Sequence, residues 1–114
     1  MVRRTRPISW IKAARKDFEA FPAEVQLEAR RALTVIADGG NPDIAKPLKG
    51  LGSGVLELVL RDRGNAYRVV YTVLVDTDVW VIHAFQKKSK RGIQTPKEEI
   101  DLVRQRLKRL KEQL

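Results

Sequence analysis

The residue types that suggest chemistry are concentrated in the stretch from Val79 to Pro96, VWVIHAFQKKSKRGIQTP. Its first part is apolar and carries His83, the single histidine of the 114-residue chain. A group of cations follows immediately: Lys87, Lys88, Lys90 and Arg91. A histidine titrates near neutral pH, and clustered cations attract anions. The stretch therefore predicts an anion-binding site that includes one group able to move protons.

The net charge points to the same part of the chain. The sequence has 23 basic and 14 acidic residues, a net charge of +9 and a pI near 10.3. Residues 87–114 alone hold 10 basic and 4 acidic groups, so two thirds of the excess lies there. Such a field favours polyanions, of which phosphate backbones are the commonest inside cells. An acidic protein partner or a solvated helix face would account for the same charge.

Composition narrows the class of protein. At 114 residues, with 43% hydrophobic and 32% charged residues, we expect one globular domain spanning residues 1–114. The absence of cysteine excludes disulfides and thiolate metal sites, and it fits a reducing cytoplasm. Neither a membrane span nor a signal peptide is recognisable, so we expect a cytoplasmic protein without a membrane partner.

Hydrophobic periodicity predicts the element order β-αα-βββ-α, an α+β domain with a small antiparallel sheet. The predicted elements are an edge strand at Ile8–Trp10, a helix over Ile11–Phe21, a helix at about 22–38, strands Val55–Arg61, Ala66–Val75 and Val79–Phe85, and a helix from about Pro96. Residues 43–54 are predicted to be a loop, and Thr95 and Glu98 resemble a capping box at the last helix.

The three consecutive strands should form an antiparallel meander with helices on one face of the sheet. On the third strand, Trp80 and Ile82 alternate with Val81 and His83, and both sets are largely apolar, which indicates a central strand. The opposite face of the sheet would gather Arg61, Arg68 and the segment from His83 to Lys88.

Several stretches of the sequence resemble those of a known protein family. The most specific stretches of the sequence are LKGLGSGVLEL, AYRVVY and HAFQKKSKRGIQTPKEEI. They belong to a similarity that runs from the helical hairpin to the last helix. Over this length the sequence resembles the phage-derived, HigB-like branch of the RelE/ParE toxin superfamily. The resemblance implies a RelE-like fold and the toxin of a type II toxin-antitoxin system. It also implies an endoribonuclease that cuts mRNA, often on the ribosome. The implied partners are mRNA, the ribosome and a cognate antitoxin with a helix-turn-helix DNA-binding domain.

RNA cleavage without a metal needs a base for the 2′-hydroxyl, cations for the phosphorane and an acid for the leaving oxygen. Because the chain lacks a second histidine and a His–carboxylate spacing, we expect neither a metal nor a cofactor. By resemblance, Arg61 and Arg68 fall where RelE-like toxins place functional basic residues. We assign Arg61 with Lys87 or Lys88 to the scissile phosphate. The cations expected to bind flanking phosphates or ribosomal RNA are Lys46, Lys49, Lys90 and Arg91.

His83 has two interpretations, a general acid or base and a half-buried histidine bound within the sheet. Tyr71 is expected in the core rather than as a proton donor, and Trp80 or Phe85 could stack a base or pack internally. Well-known RelE-type toxins carry a functional tyrosine near the C-terminus, whereas the last tyrosine here is Tyr71. The identity of the general base therefore stays open.

Two alternatives accompany the ribonuclease hypothesis. A ParE-like inhibitor of DNA gyrase would share the fold without catalysis, and an inactive toxin homologue would bind only its antitoxin. The cluster of Arg61, Arg68 and Lys87 with His83 favours RNA, because a gyrase inhibitor needs no convergent phosphate site.

Overall fold

The computed structural model describes residues 5–87 and 95–114. The described elements are β1 Ile8–Trp10, α1 Lys12–Glu19, α2 Ala23–Ala37, β2 Ala45–Pro47, β3 Val55–Asp62, β4 Asn65–Thr72, β5 Val79–Lys87 and α3 Lys97–Gln113. No helix within the described ranges is both long enough and apolar enough to cross a bilayer. The order confirms the predicted β-αα-βββ-α arrangement and adds β2.

The strands form one sheet in the order β1-β5-β4-β3-β2. Neighbouring pairs among β2 to β5 are antiparallel, and β1 pairs in parallel with the start of β5, with Ile8 opposite Val79. The predicted meander is therefore present and β5 is an internal strand. The predicted small antiparallel sheet gains one parallel pair at the β1 edge, because the chain returns to this edge after crossing the whole sheet.

A tight turn connects β3 to β4. Arg63 and Gly64 both adopt positive φ, 51° and 81°, as the two central residues of a type I′ turn do. This turn matches the twist of the two strands, and it fixes a register in which Arg61 lies opposite Ala66 and Val59 opposite Arg68. Because side chains alternate between the two faces along β3, this register determines on which face of the sheet each basic side chain lies.

β5 contains a bulge beside β4. Val70 is opposite His83 and Tyr71 is opposite Val81, which leaves Ile82 as the additional residue on β5. Val81 packs in the core beneath α1 and α2, whereas Ile82 packs in the core beneath α3. His83 contacts α3 as well, so two consecutive residues face the same side of the sheet.

Two hydrophobic cores sandwich the sheet. Beneath α1 and α2, Phe18 and Leu33 pack against Leu58, Val69 and other strand residues. On the opposite face, α3 places its apolar stripe, Val103, Leu107 and Leu110, against Val55, Val70 and Ile82. Burial of these side chains is the main force that attaches both helical layers to the sheet.

Three local predictions are wrong. Helices cover both faces of the sheet rather than one, because the α3 stripe docks opposite the helical hairpin. Ala45–Pro47, in the predicted loop, is a short edge strand beside β3. The capping box is absent: Pro96 is the N-cap of α3 without a side-chain cap, and the Thr95 hydroxyl donates to Glu57 on β3 instead.

We expect Leu58→Ala to destabilise the protein by about 2–5 kcal/mol, because Leu58 is fully buried between β3 and the helical hairpin and its truncation leaves a cavity. Leu27→Ala is the matched control, since Leu27 is 47% exposed on α2 and its truncation should cost less than about 1 kcal/mol. Denaturant unfolding followed by circular dichroism measures both. Equal losses would contradict the assignment of the first core.

Candidate functional site

Three predicted basic residues lie on one face of the sheet. Arg61, Ala66 and Lys87 form one cross-strand row, and Val59, Arg68 and Phe85 form the next. Residues opposite each other on adjacent strands share a face, and strands lie about 4.8 Å apart. Arg61, Arg68 and Lys87 therefore converge within roughly 10 Å on the α3 side of the sheet, beyond the part that α3 covers. We call these three residues the basic cluster.

A carboxylate that the sequence did not single out lies inside the basic cluster. The Arg68 Nη1 donates a 2.7 Å hydrogen bond to Glu57 Oε1, and the two side chains are only 3% and 7% exposed. The Thr95 hydroxyl donates to the other oxygen, Glu57 Oε2, at 2.8 Å. A buried carboxylate needs such partners, because an unpaired charge in this position would be strongly destabilising.

Lys87 is buried at the end of β5. Burial is the largest effect that lowers the pKa of its amine below 10.5, and the positive charges of Arg68 and Arg61 lower this pKa further, while Glu57 raises it. Like charges and desolvation both disfavour the ammonium form. Lys87 is therefore a more acidic lysine than an exposed one, and perturbed lysines of this kind are common at functional sites.

The flanking lysines are placed differently from one another. Lys46 lies on β2 directly opposite Glu57, exposed, so it extends the basic cluster across a further strand. Lys49 is exposed in the segment after β2, outside the sheet. The remaining predicted residues lie outside the described ranges: Lys88, Lys90 and Arg91.

His83 is held by two residues of α3. Its Nε2 lies 2.5 Å from Glu99 Oε2, and its Nδ1 lies 3.0 Å from Arg106 Nη1, which also donates to the Ile82 carbonyl oxygen. A guanidinium can only donate, so Nδ1 accepts and Nε2 carries the proton that is donated to Glu99. Burial lowers the pKa of His83 below 6.5, against the opposing effect of Glu99. The neutral ring is thus the form that fits its surroundings.

The aromatic residues of the strands lie on both faces of the sheet. Phe85 is half-buried and stacks on His83 with ring centroids 5.1 Å apart, and Tyr67 packs against Phe21 at 4.9 Å. Tyr71 is fully enclosed, and burial raises the pKa of its hydroxyl to about 12, as a core residue requires. Trp80 packs against the α3 core. Of these rings, Phe85 is the one adjacent to the basic cluster.

Four residues of this region escaped the sequence reasoning in the roles they have: Glu57, Thr95, Glu99 and Arg106. Glu57 had a signal, since it is the single acidic residue in the run from Val55 to Leu60. Glu99 and Arg106 are seven residues apart, which places them on one side of α3. That spacing alone did not show that this side faces His83.

A protein-family model described as "Phage derived protein Gp49-like (DUF891)" matches residues 16–108 of the chain. A search of curated proteins found no match. The family match covers most of the sequence and includes the second half of α1, all of α2, every strand after it and most of α3.

Among solved structures, the free state of an arginine-to-alanine double mutant of the E. coli toxin RelE superposes with a TM-score of 0.63 at 18% identity. The match covers 92% of this chain and 97% of the RelE chain. This similarity demonstrates a shared fold, and together with the family match it confirms the predicted phage-derived branch and RelE-like fold. The chain therefore belongs to the phage-derived Gp49-like family and has the fold of the RelE toxins.

Proposed function

We propose that this protein is the toxin of a type II toxin-antitoxin system and a metal-independent endoribonuclease that cuts mRNA, associated with the ribosome. The observation that carries the proposal is the basic cluster, in which three adjacent strands each contribute one cation to the same face. Membership of the Gp49-like family and the RelE fold support the toxin assignment. Translating ribosomes would place the protein in the cytoplasm.

The proposed reaction is an attack of the 2′-oxygen on the adjacent phosphorus. The O2′–P bond forms, the P–O5′ bond breaks, the 2′-hydroxyl loses its proton to a base, and the 5′-oxygen leaves with a proton. Arg61 and Arg68 would stabilise the charged phosphorane, since guanidinium groups bind phosphate oxygens in pairs. Lys87, whose pKa is lowered by burial and by Arg68, is suited to protonate the leaving oxygen.

The cations of the basic cluster differ in their exposure, and this difference determines which of them a phosphate would contact first. Arg68 and Lys87 are 2% and 6% exposed, whereas Arg61 and Lys46 are exposed on either side of Glu57. We therefore assign first contact with RNA to Arg61 and Lys46. Engagement of Arg68 and Lys87 would follow, with Lys49, Lys88, Lys90 and Arg91 binding flanking phosphates.

We assign His83 a structural role in place of the proton-transfer role that its chemistry first suggested. Both ring nitrogens already have partners on α3, and Val70 separates His83 from Glu57 across the sheet. A neutral histidine between Glu99 and Arg106 fastens α3 to β5. Proton transfer to RNA would require breaking one of these bonds first.

The cognate antitoxin, expected to be a helix-turn-helix protein, would neutralise the toxin by covering the basic cluster or by displacing α3. A ParE-like gyrase inhibitor is the second candidate function, because the fold permits it. Convergence of Arg61, Arg68 and Lys87 favours RNA, since inhibition by protein contact does not need three cations around one point.

Arg61→Ala and Lys87→Ala are expected to reduce cleavage about 10²–10³-fold, because each removes a charge that stabilises the transition state. Purified protein is added to a translation extract, message 5′ ends are mapped, and wild type should give codon-phased cuts. Arg31→Ala, an exposed arginine on α2 across the sheet, is the matched control and should cleave normally. Intact message together with inhibited gyrase supercoiling would refute the ribonuclease proposal.

His83→Gln should keep cleavage within about threefold of wild type while lowering the free energy of unfolding by about 1–3 kcal/mol, since Glu99 and Arg106 lose a buried partner. The folded pKa of His83 is below 6.5, so the unfolded state binds protons more readily and wild type loses stability as the pH falls below about 6.5. The variant should lack this part of the pH dependence. Denaturant unfolding at about pH 8 and about pH 5.5 compares the two proteins. Loss of cleavage with unchanged stability would instead make His83 catalytic.

A further inference from the structure

Glu57 is the one buried acidic side chain among the described residues, and it lies where the cations converge. It precedes Val59 by two positions on β3, and Val59 is opposite Arg68, so Glu57 and Arg68 are diagonal neighbours on one face. Lys46 lies opposite Glu57 on the other side. A negative charge in this position interacts with the whole group of cations.

The two oxygens of Glu57 are fixed from different elements. Arg68 on β4 donates to Oε1, and Thr95, two residues before α3, donates to Oε2. A carboxylate held at both oxygens cannot rotate without losing a buried hydrogen bond, so its partner guanidinium is held as well. The orientation of Arg68 is therefore linked to the start of α3 through a single side chain.

Glu57 also acts on Lys87 at a distance. Burial, Arg68 and Arg61 all lower the pKa of the Lys87 amine, and Glu57 is the acidic residue that opposes them. Without Glu57, the buried cations Arg68 and Lys87 would lose the one buried carboxylate that the described part of the chain places beside them. Glu57 thus favours the ammonium form of Lys87.

We propose that Glu57 is a positioning residue of the basic cluster, which orients Arg68 and balances the charge around Lys87 so that both cations act on one phosphodiester. This inference rests on the proposed ribonuclease function. It assigns no contact between Glu57 and RNA, because both carboxylate oxygens already accept hydrogen bonds within the protein. Thr95 contributes by holding the carboxylate and not by capping α3.

The main test compares Glu57→Gln with Glu98→Gln, a control that removes an exposed carboxylate from the first turn of α3. Single-turnover cleavage of a short message on purified ribosomes is measured from about pH 6 to about pH 9.5. In parallel, the titration of Lys87 is followed by NMR of ¹³Cε-labelled lysine in the protein alone. We expect Glu57→Gln to shift both the alkaline limb of the rate and the Lys87 titration to lower pH by roughly half a unit or more. Glu98→Gln should shift neither.

Thr95→Val separates orientation from charge, since it removes the hydroxyl donor and keeps the carboxylate. We expect the maximal cleavage rate to fall by about three- to tenfold, with an unchanged apparent affinity for the programmed ribosome and an unchanged alkaline limb. Thr95→Ser, which keeps the donor, should restore the rate. If Glu57→Gln does not fold, this pair decides the question, and a normal rate for Thr95→Val overturns the inference.

The other outcomes are equally decisive. An unshifted Lys87 titration in folded Glu57→Gln overturns the charge-balancing role. Tighter RNA binding with faster cleavage would make Glu57 an internal competitor of phosphate, and complete loss of cleavage at every pH with an unshifted Lys87 would make it the general base. Failure of the proposed function is distinguishable from all of these, because it would appear as wild-type protein that leaves message intact.

Discussion

The buried pair of Glu57 and Arg68 is the constraint around which this side of the molecule is arranged. Two opposite charges removed from water must satisfy each other closely, and the 2.7 Å contact between them does so. The remaining carboxylate oxygen then needs a donor of its own, which Thr95 supplies from the beginning of α3. The position at which α3 starts is therefore tied to the charges of the sheet.

Two kinds of interaction attach α3, and they differ along its length. From Val103 onward the helix contributes apolar side chains, Val103, Leu107 and Leu110, to the core above β4 and β5, and Arg106 adds hydrogen bonds to β5. The first turn is joined to the sheet by polar groups, through Glu99 to His83 and through the preceding Thr95 to Glu57. Apolar burial tolerates small shifts, whereas hydrogen-bond geometry does not. The first turn is also the part of α3 that borders the basic cluster. Hydrogen bonds therefore fix the position of the helix where it adjoins the site.

The sequence predicted the order of elements because each has a local signal: helical stripes in α1, α2 and α3, alternation in β3, and turn residues at Arg63 and Gly64. It also predicted that Arg61, Arg68 and Lys87 share a face, and the register of three strands agrees. β2 was missed, because its three residues end in a proline and are too few to show alternation. The face chosen by α3 and the pairing of Glu99 and Arg106 with His83 depend on tertiary packing, which periodicity does not encode. The roles of the site residues in RNA cleavage stay predictions.

The additional residue at Ile82 has a consequence for the evolution of the site. Val79 and Val81 face the α1–α2 core, and in an uninterrupted strand every second residue after them, including Lys87, would face that core too. The bulge reverses the parity of the strand, so that Lys87 reaches the side on which Arg61 and Arg68 lie. Removal of Ile82 would restore a regular strand and leave Lys87 five residues after Val81, still on the side of Arg61 and Arg68. A relative without the bulge would therefore keep the basic cluster only if the segment from Val81 to Lys87 were one residue shorter.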